Sequence, residues 1–144
     1  MRRLVEGLRP PVLDELGLVG AVRQYATGLH ATAGPVVEVR ELGGLDGLPA
    51  AVEVAVYRIV VEALTNIVRH SSGPRAVVEL AAEPGVLRVR VLDDGPAGSV
   101  QTPSAWQPGT GLSSMTERAR QVGGTLHAGP SLDGGLVEVV IPLG

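Results

Sequence analysis

The sequence predicts an α+β fold of two layers, with about three helices on one face of a mixed sheet. The periodic segments run in the order helix, strand, helix, two strands, loop, helix, two strands, which favours this arrangement. The segment 50–70 is apolar almost all round, so we expect a helix packed on more than one side. A chain of 144 residues with 44% hydrophobic content suffices for the core of one domain.

The first part of the chain predicts a helix and then a strand. The pair Pro10-Pro11 suits the first turn of a helix, and leucine and valine recur at helical spacing through 12–30. Gly34-Pro35 ends that helix. Apolar and charged residues alternate over Val36–Leu42, which predicts a half-buried strand.

After helix 50–70, the rest of the chain predicts two hairpins separated by a loop and a helix. The predicted strands are 75–81 and 86–92, and then 125–128 and 136–141. The predicted helix is 112–122, closed by Gly123-Gly124. The intervening residues 93–110 are rich in glycine, proline, serine and threonine, and such a long irregular segment inside a domain is uncommon unless it is functional or mobile.

Composition excludes several classes of function. There is no cysteine, so disulfides and thiolate metal sites are excluded, and all 12 basic residues are arginine, which excludes the lysine of a P-loop. With a net charge of −3 and 2% aromatic residues, we expect no direct nucleic-acid binding. The sequence shows neither a signal peptide nor a membrane-spanning stretch. We therefore expect a cytoplasmic domain, which leaves open whether its parent protein is membrane-anchored.

A narrow polar stripe crosses the apolar helix 50–70. It consists of Arg58, Glu62, Thr65 or Asn66, Arg69 and His70. Their spacing puts them on one face of the helix. A carboxylate and a carboxamide on so apolar a helix need partners or a wet pocket. An Arg58–Glu62 ion pair with a solvated edge explains the same stripe, and the spacing alone leaves both interpretations open.

Two glycine-rich segments add a second signal. Asp93-Asp94-Gly95 follows a predicted strand, and Gly109-Thr110-Gly111-Leu112 opens a predicted helix. Glycine at a helix N-terminus lets backbone N–H groups and the helix dipole meet a phosphate. Alone, each segment is an ordinary turn, and Asp93-Asp94 suits turn initiation. A Glu-x3-Asn helix followed by both segments in this order is far more specific.

These motifs resemble the N, G1 and G2 boxes of the GHKL ATPases, at 62–70, 93–95 and 109–112. Tyr57-Arg58-Ile59, and Gly111-Leu112 with Met115, Glu117 and Arg118, are similar to the catalytic and ATP-binding domain of NarL/DesK-type sensor histidine kinases. That resemblance covers about 40–142. The stretch 8–18 resembles the family's join between its dimerisation helices and this domain. The resemblance as a whole implies a Bergerat fold. It also implies that 1–15 are the end of a dimerisation helix and a linker, and that 16–144 are the catalytic domain.

The resemblance implies a role for each polar residue of the N box. Asn66 would bind the Mg²⁺ that bridges the ATP phosphates, and Glu62 would polarise water or the incoming nucleophile. Arg69 and His70 would reach the phosphates. A histidine at a helix end stabilised by the dipole is the alternative for His70.

The resemblance also assigns the two glycine-rich segments. Asp93 would accept a hydrogen bond from the adenine amine, and Gly95 would let the backbone lie against the ring. The G2 positions beside the phosphates are Gly109, Thr110, Gly111 and Leu112. Residues 97–108 would form a lid over ATP, with Trp106 packing inside it.

The sequence departs from the family pattern at three positions. Ala97 stands where a second G1 glycine is common, Gly135 where a threonine near adenine is common, and Ser114 where a glycine often follows the G2 box. The departures at Ala97 and Gly135 keep a non-catalytic nucleotide-sensing module as an alternative function. An anti-sigma-factor-type serine kinase is a second alternative, because it shares the same boxes.

The leading hypothesis is the catalytic domain of an ATP-dependent protein-histidine kinase, with ATP and Mg²⁺ as cofactors. His30, His70 and His127 all lack the Glu-Leu-His-Asp context of the family's phosphoacceptor. We therefore expect a fragment that transfers phosphate to its own dimerisation domain, which this chain lacks. The expected partners also include a response regulator and a second copy in a full-length homodimer.

Overall fold

Three helices and five strands make up the part of the chain that the structure, a computed structural model, describes: residues 9–32, 34–70, 75–93, 112–131 and 134–143. The helices are α1 (Pro11–Ala31), α2 (Ala50–His70) and α3 (Leu112–Gln121). The strands are β1 (Val36–Leu42), β2 (Arg75–Glu83), β3 (Val86–Asp93), β4 (Thr125–Ser131) and β5 (Gly134–Pro142). The predicted order of elements is confirmed.

The five strands form one mixed sheet in the order β1-β2-β3-β5-β4. β1 and β2 are parallel, and the other three pairs are antiparallel. The chain passes through α2 between β1 and β2, because parallel neighbours need a long crossover connection. The β2–β3 turn is shorter than predicted, since Glu83 still pairs with Val86 and the turn contains only Pro84 and Gly85.

The core lies between the helices and one face of the sheet. That face presents buried residues from β2, β3 and β5: Ala76, Val78, Leu80, Leu87, Val89, Val91, Val137, Val139 and Ile141. Helix α2 contacts α1, α3 and β3, so its predicted packing on more than one side is confirmed. None of the described helices combines the length and the apolarity that a membrane span requires.

The opposite face of the sheet carries a charge ladder, defined here as Arg40, Glu79, Arg90 and Glu138. These residues pair in register across β1, β2, β3 and β5, and their signs alternate. Neighbours approach within 3.2 Å, 3.7 Å and 3.1 Å between guanidinium nitrogen and carboxylate oxygen. His127 on β4 stands opposite Glu138 and extends the row to the far edge. Alternation of sign lets each inner residue attract a neighbour on both sides.

Helix α1 is interrupted near its start. Gly17 has φ 74° and ψ 176°, a conformation that only glycine adopts readily, so the helical backbone breaks there and resumes afterwards. The apolar spacing continues across this break, so the sequence pattern predicts one uninterrupted helix. Ahead of the break, Arg9 contacts both Asp14 and Glu53 at 2.6 Å, which ties the start of α1 to the first turn of α2.

Gly17→Ala is therefore expected to destabilise the protein by about 1–3 kcal/mol, because alanine is strained at this backbone conformation. Gly28→Ala in the same helix is the matched control. Gly28 is exposed with helical backbone and open space around it, so alanine there is expected to stabilise by about 0.5–1 kcal/mol. Urea unfolding of both variants measures these changes. Equal shifts at the two positions would contradict the special backbone at Gly17.

Candidate active site

Two polar side chains are buried in the described part of the chain, and both were predicted as site residues. Asn66 is 1% exposed and Asp93 is 5% exposed, and no other buried polar or charged residue occurs in those ranges. Burying an amide or a carboxylate is costly unless it finds a partner. Their burial therefore requires an explanation that apolar packing does not supply.

Asn66 lies on the buried face of α2. At about 100° per residue, it shares that face with Ile59 and Ala63, both of which are buried. Neither the Oδ1 nor the Nδ2 atom of Asn66 has a hydrogen-bond partner among the described residues. Leaving such groups unpaired costs about 1–3 kcal/mol. Both polar atoms of the Asn66 side chain are thus buried without a hydrogen bond to the described residues.

Asp93 is the last residue of β3, where the strand leaves the sheet. The backbone N–H of Gly135 on β5 donates to Asp93 Oδ1 over 3.4 Å. The two strands are adjacent in the sheet, and Leu92 pairs with Leu136 in register. Gly135 is itself buried. A main-chain donor on the neighbouring strand therefore fixes the orientation of the Asp93 carboxylate.

The topology brings Asn66 and Asp93 to the same end of the sheet. Asp93 pairs with Ala76 near the start of β2. Helix α2 ends at His70, and β2 begins at Arg75, so few residues separate the end of the helix from that edge. Since an extended chain spans at most about 3.6 Å per residue, the end of α2 lies within about 18 Å of the start of β2, at the end of the sheet where β3 ends.

The other predicted site residues lie around this edge to different extents. Glu62 is half-buried, one helical turn before Asn66, and Arg69 is exposed near the end of α2. His70 is the last residue of α2, and Leu112 is the half-buried first residue of α3. The remaining predicted positions lie outside the described residues: Gly95, Gly109, Thr110, Gly111 and the lid at 97–108.

The choice between Thr65 and Asn66 as the functional polar residue is decided by their contacts. Thr65 Oγ1 donates to the carbonyl oxygen of Val61 over 2.8 Å and lies 2.9 Å from the hydroxyl of Tyr25 on α1. Burial raises the pKa of Tyr57, and the nearby Tyr25 raises it further. Thr65 therefore belongs to the α1–α2 contact. Tyr25 is one of only 2 tyrosines, and no motif or spacing in the sequence marks it as part of this contact.

The donor set at this edge fits a magnesium nucleotide. The buried amide oxygen of Asn66 is a suitable ligand for a hard cation such as Mg²⁺. A buried carboxylate such as Asp93 can accept a hydrogen bond from an exocyclic amine. The two residues thus supply the two kinds of contact that a nucleotide base and a metal–phosphate group require.

A family model described as "Histidine kinase-, DNA gyrase B-, and HSP90-like ATPase" matches residues 51–144. The chain belongs to this family. Its domain binds ATP, and the match includes both buried polar residues. The predicted relationship to the GHKL ATPases is confirmed.

Two proteins similar to this chain are named as a sensor histidine kinase and a sensor protein. The chain is 32% identical to the sensor histidine kinase MctS of Rhizobium johnstonii, over 99% of this chain and 31% of MctS. It is also 32% identical to the sensor protein VraS of Staphylococcus epidermidis, over 99% of this chain and 40% of VraS. The chain therefore spans well under half the length of these curated relatives.

A solved structure agrees with the fold. The histidine kinase domain of the blue-light activated histidine kinase EL346 from Erythrobacter litoralis superposes with a TM-score of 0.61 at 24% identity. The superposition covers 85% of this chain and 59% of that one. The predicted fold class is confirmed. The chain is thus similar to one segment of these sensor proteins, and the NarL/DesK subclass stays a prediction.

Replacing the unpaired amide by an apolar side chain of similar size is expected to stabilise the free protein. We expect Asn66→Leu to raise the free energy of unfolding by about 1–3 kcal/mol, because it removes buried polar atoms that have no partner among the described residues. Thr65→Val is the matched control, and it is expected to destabilise because Thr65 is hydrogen-bonded. Urea unfolding without nucleotide measures both. A loss of stability in Asn66→Leu would show that the amide has a partner in the free protein.

Proposed function

We propose that this chain binds Mg·ATP as the catalytic domain of a sensor histidine kinase. It would transfer the γ-phosphoryl group to a histidine on a dimerisation domain that this chain does not contain. The observation that carries the proposal is the burial of Asn66 and Asp93 at one end of the sheet in a member of an ATPase family. The kinase names of the relatives favour histidine phosphorylation over the serine-kinase alternative.

Each residue at the site would have a distinct part in phosphoryl transfer. Asn66 would hold Mg²⁺ through Oδ1, and the cation would neutralise charge on the phosphates. Asp93, oriented by the N–H of Gly135, would bind the adenine amine. Glu62 would accept the proton of the attacking imidazole as the new P–N bond forms and the bond to ADP breaks. Such transfer depends mainly on positioning and charge stabilisation, so no lysine is required.

The phosphate end of the nucleotide would meet the end of α2 and the start of α3. Arg69 and His70 would contact the phosphates, as would the segment Gly109-Thr110-Gly111-Leu112 at the helix N-terminus. Oriented backbone N–H groups and the helix dipole favour an anion at that position. Residues 97–108 would cover the bound nucleotide.

The proposal extends to the protein from which the domain comes. A response regulator would receive the phosphoryl group, and the full-length protein would be a homodimer. We also propose a linker at 1–15 and the catalytic domain at 16–144. The break in the backbone of α1 at Gly17 supports a junction in this region. The stretch 8–18 supports the NarL/DesK subclass.

Asn66→Ala is expected to abolish the Mg²⁺-dependent part of nucleotide binding, because it removes the amide ligand without disturbing the exposed surface. Isothermal calorimetry with a non-hydrolysable ATP analogue, with Mg²⁺ and with EDTA, measures the effect. We expect a loss of at least about tenfold in affinity with Mg²⁺. Val68→Ala, two residues along α2 at a position 46% exposed, is the control. Unchanged Mg·ATP affinity in Asn66→Ala would rule out the metal-ligand role.

Asp93→Asn is expected to weaken ATP and ADP equally and to reduce discrimination against GTP. A carboxylate accepts from the adenine amine, whereas guanine presents a carbonyl oxygen there and is repelled. Competition binding with ATP, ADP and GTP tests this, with the exposed Glu41→Gln on β1 as the control. If the wild-type protein binds ATP and GTP equally well, Asp93 does not read the base.

A further inference from the structure

We propose that Tyr25 is a positioning residue of the nucleotide site and acts through Thr65 on the turn of α2 that carries Glu62 and Asn66. The inference rests on the proposed function and adds a residue of α1 to it. Tyr25 lies outside the N, G1 and G2 boxes and 40 positions before its partner in the sequence. Only the folded arrangement of α1 against α2 brings it to this turn.

The direction of the hydrogen bond follows from the count of hydroxyl hydrogens. Thr65 Oγ1 lies 2.8 Å from the carbonyl oxygen of Val61, which can only accept, so Thr65 donates its single hydrogen there. Thr65 Oγ1 must then accept from Tyr25, whose hydroxyl lies 2.9 Å away. The bond is partly buried, so losing it leaves a polar group poorly solvated. Tyr25 thus restrains the position of Thr65 on α2.

The hydrogen bond between Tyr25 and Thr65 opposes rotation of α2. Asn66 faces the core and is buried. Glu62 points about 40° away from Asn66 around the helix axis, and it is only half-buried. The amide of Asn66 has no partner among the described residues, so the cost of burying it favours a turn of α2 by that angle, toward the more exposed position of Glu62. Thr65 is the residue directly before Asn66, so the same turn would move it away from Tyr25. The bond therefore acts together with the packing of α2 to keep Asn66 directed inward in the free protein.

Other contacts hold α1 against this part of α2. Tyr25 of α1 and Tyr57 of α2 are partly buried and pack against the hydrophobic core, to which Leu18, Ala21 and Val22 of α1 belong. Tyr25 therefore lies on a packed segment of α1. A shift of this segment relative to α2 would first change the distance between the Tyr25 hydroxyl and Thr65 Oγ1.

The test is a double-mutant cycle read out in nucleotide affinity. The variants are Tyr25→Phe, Thr65→Val and the two combined, in the full chain, with Kd for a non-hydrolysable ATP analogue measured with Mg²⁺ and with EDTA. We expect each single change to weaken Mg²⁺-dependent binding by about three- to tenfold, the size of one hydrogen bond. The combined variant is expected to lose no more than either single one, and affinity in EDTA is expected to change less.

Two controls separate positioning from stability. Tyr57→Phe removes a hydroxyl from the same region, but that hydroxyl forms no hydrogen bond with the described residues, so wild-type affinity is expected. Thr65→Ser keeps the hydroxyl and is expected to retain the wild-type ratio of affinities with and without Mg²⁺. Urea unfolding of every variant shows which of them are folded under the binding conditions.

Three results would overturn the inference while leaving the proposed function intact. They are wild-type Mg²⁺-dependent affinity in folded Tyr25→Phe, additive losses in the combined variant, or equal losses with and without Mg²⁺. A lowered urea midpoint with an unchanged affinity ratio would show that the bond only stabilises the fold. If the wild-type chain binds no nucleotide, the proposed function itself fails, and the role of Tyr25 fails with it.

Discussion

Helix α2 buries eight apolar side chains and one carboxamide between the other helices and the sheet, and the remaining elements are arranged around that packing. A helix buried over so wide a face has little freedom to rotate without opening cavities. This rigidity makes it possible to keep Asn66 inside, at a cost that a surface helix would avoid by turning. The site thus takes its precision from the same packing that stabilises the fold.

Most of the fold could be predicted from local patterns. Alternation located β1 and β3, and turn residues located the hairpins that supply the other strands. The bounds of α2 agree with the prediction, because an apolar stretch with clear ends at Pro49 and the segment 71–74 leaves little choice. The strand ends were less accurate. Ala82 and Glu83 are poor strand residues by composition, yet they continue to pair with Leu87 and Val86. The break at Gly17 was missed because spacing does not report a backbone angle.

The candidate site could be predicted only in part. The order of the motifs identified Asn66 and Asp93, and both proved to be buried. Spacing placed Glu62 and Asn66 on one polar stripe, whereas the fold puts one at the boundary of the core and the other inside it. A stripe defined at four-residue intervals cannot resolve a 40° difference without knowing what packs against the helix. The contacts of Tyr25 and Gly135 depend on tertiary structure and left no local signal.

The charge ladder on the open face of the sheet restricts how the sequence can change over evolution. An inner position such as Glu79 has a positive neighbour on each side, so reversing its charge alone places like charges opposite each other on both. Reversing the sign of all four members leaves each pair attractive. Substitutions along Arg40, Glu79, Arg90 and Glu138 are therefore coupled. Lineages in which the row drifts are expected to exchange these residues in pairs or as a set, with neutral residues as intermediates.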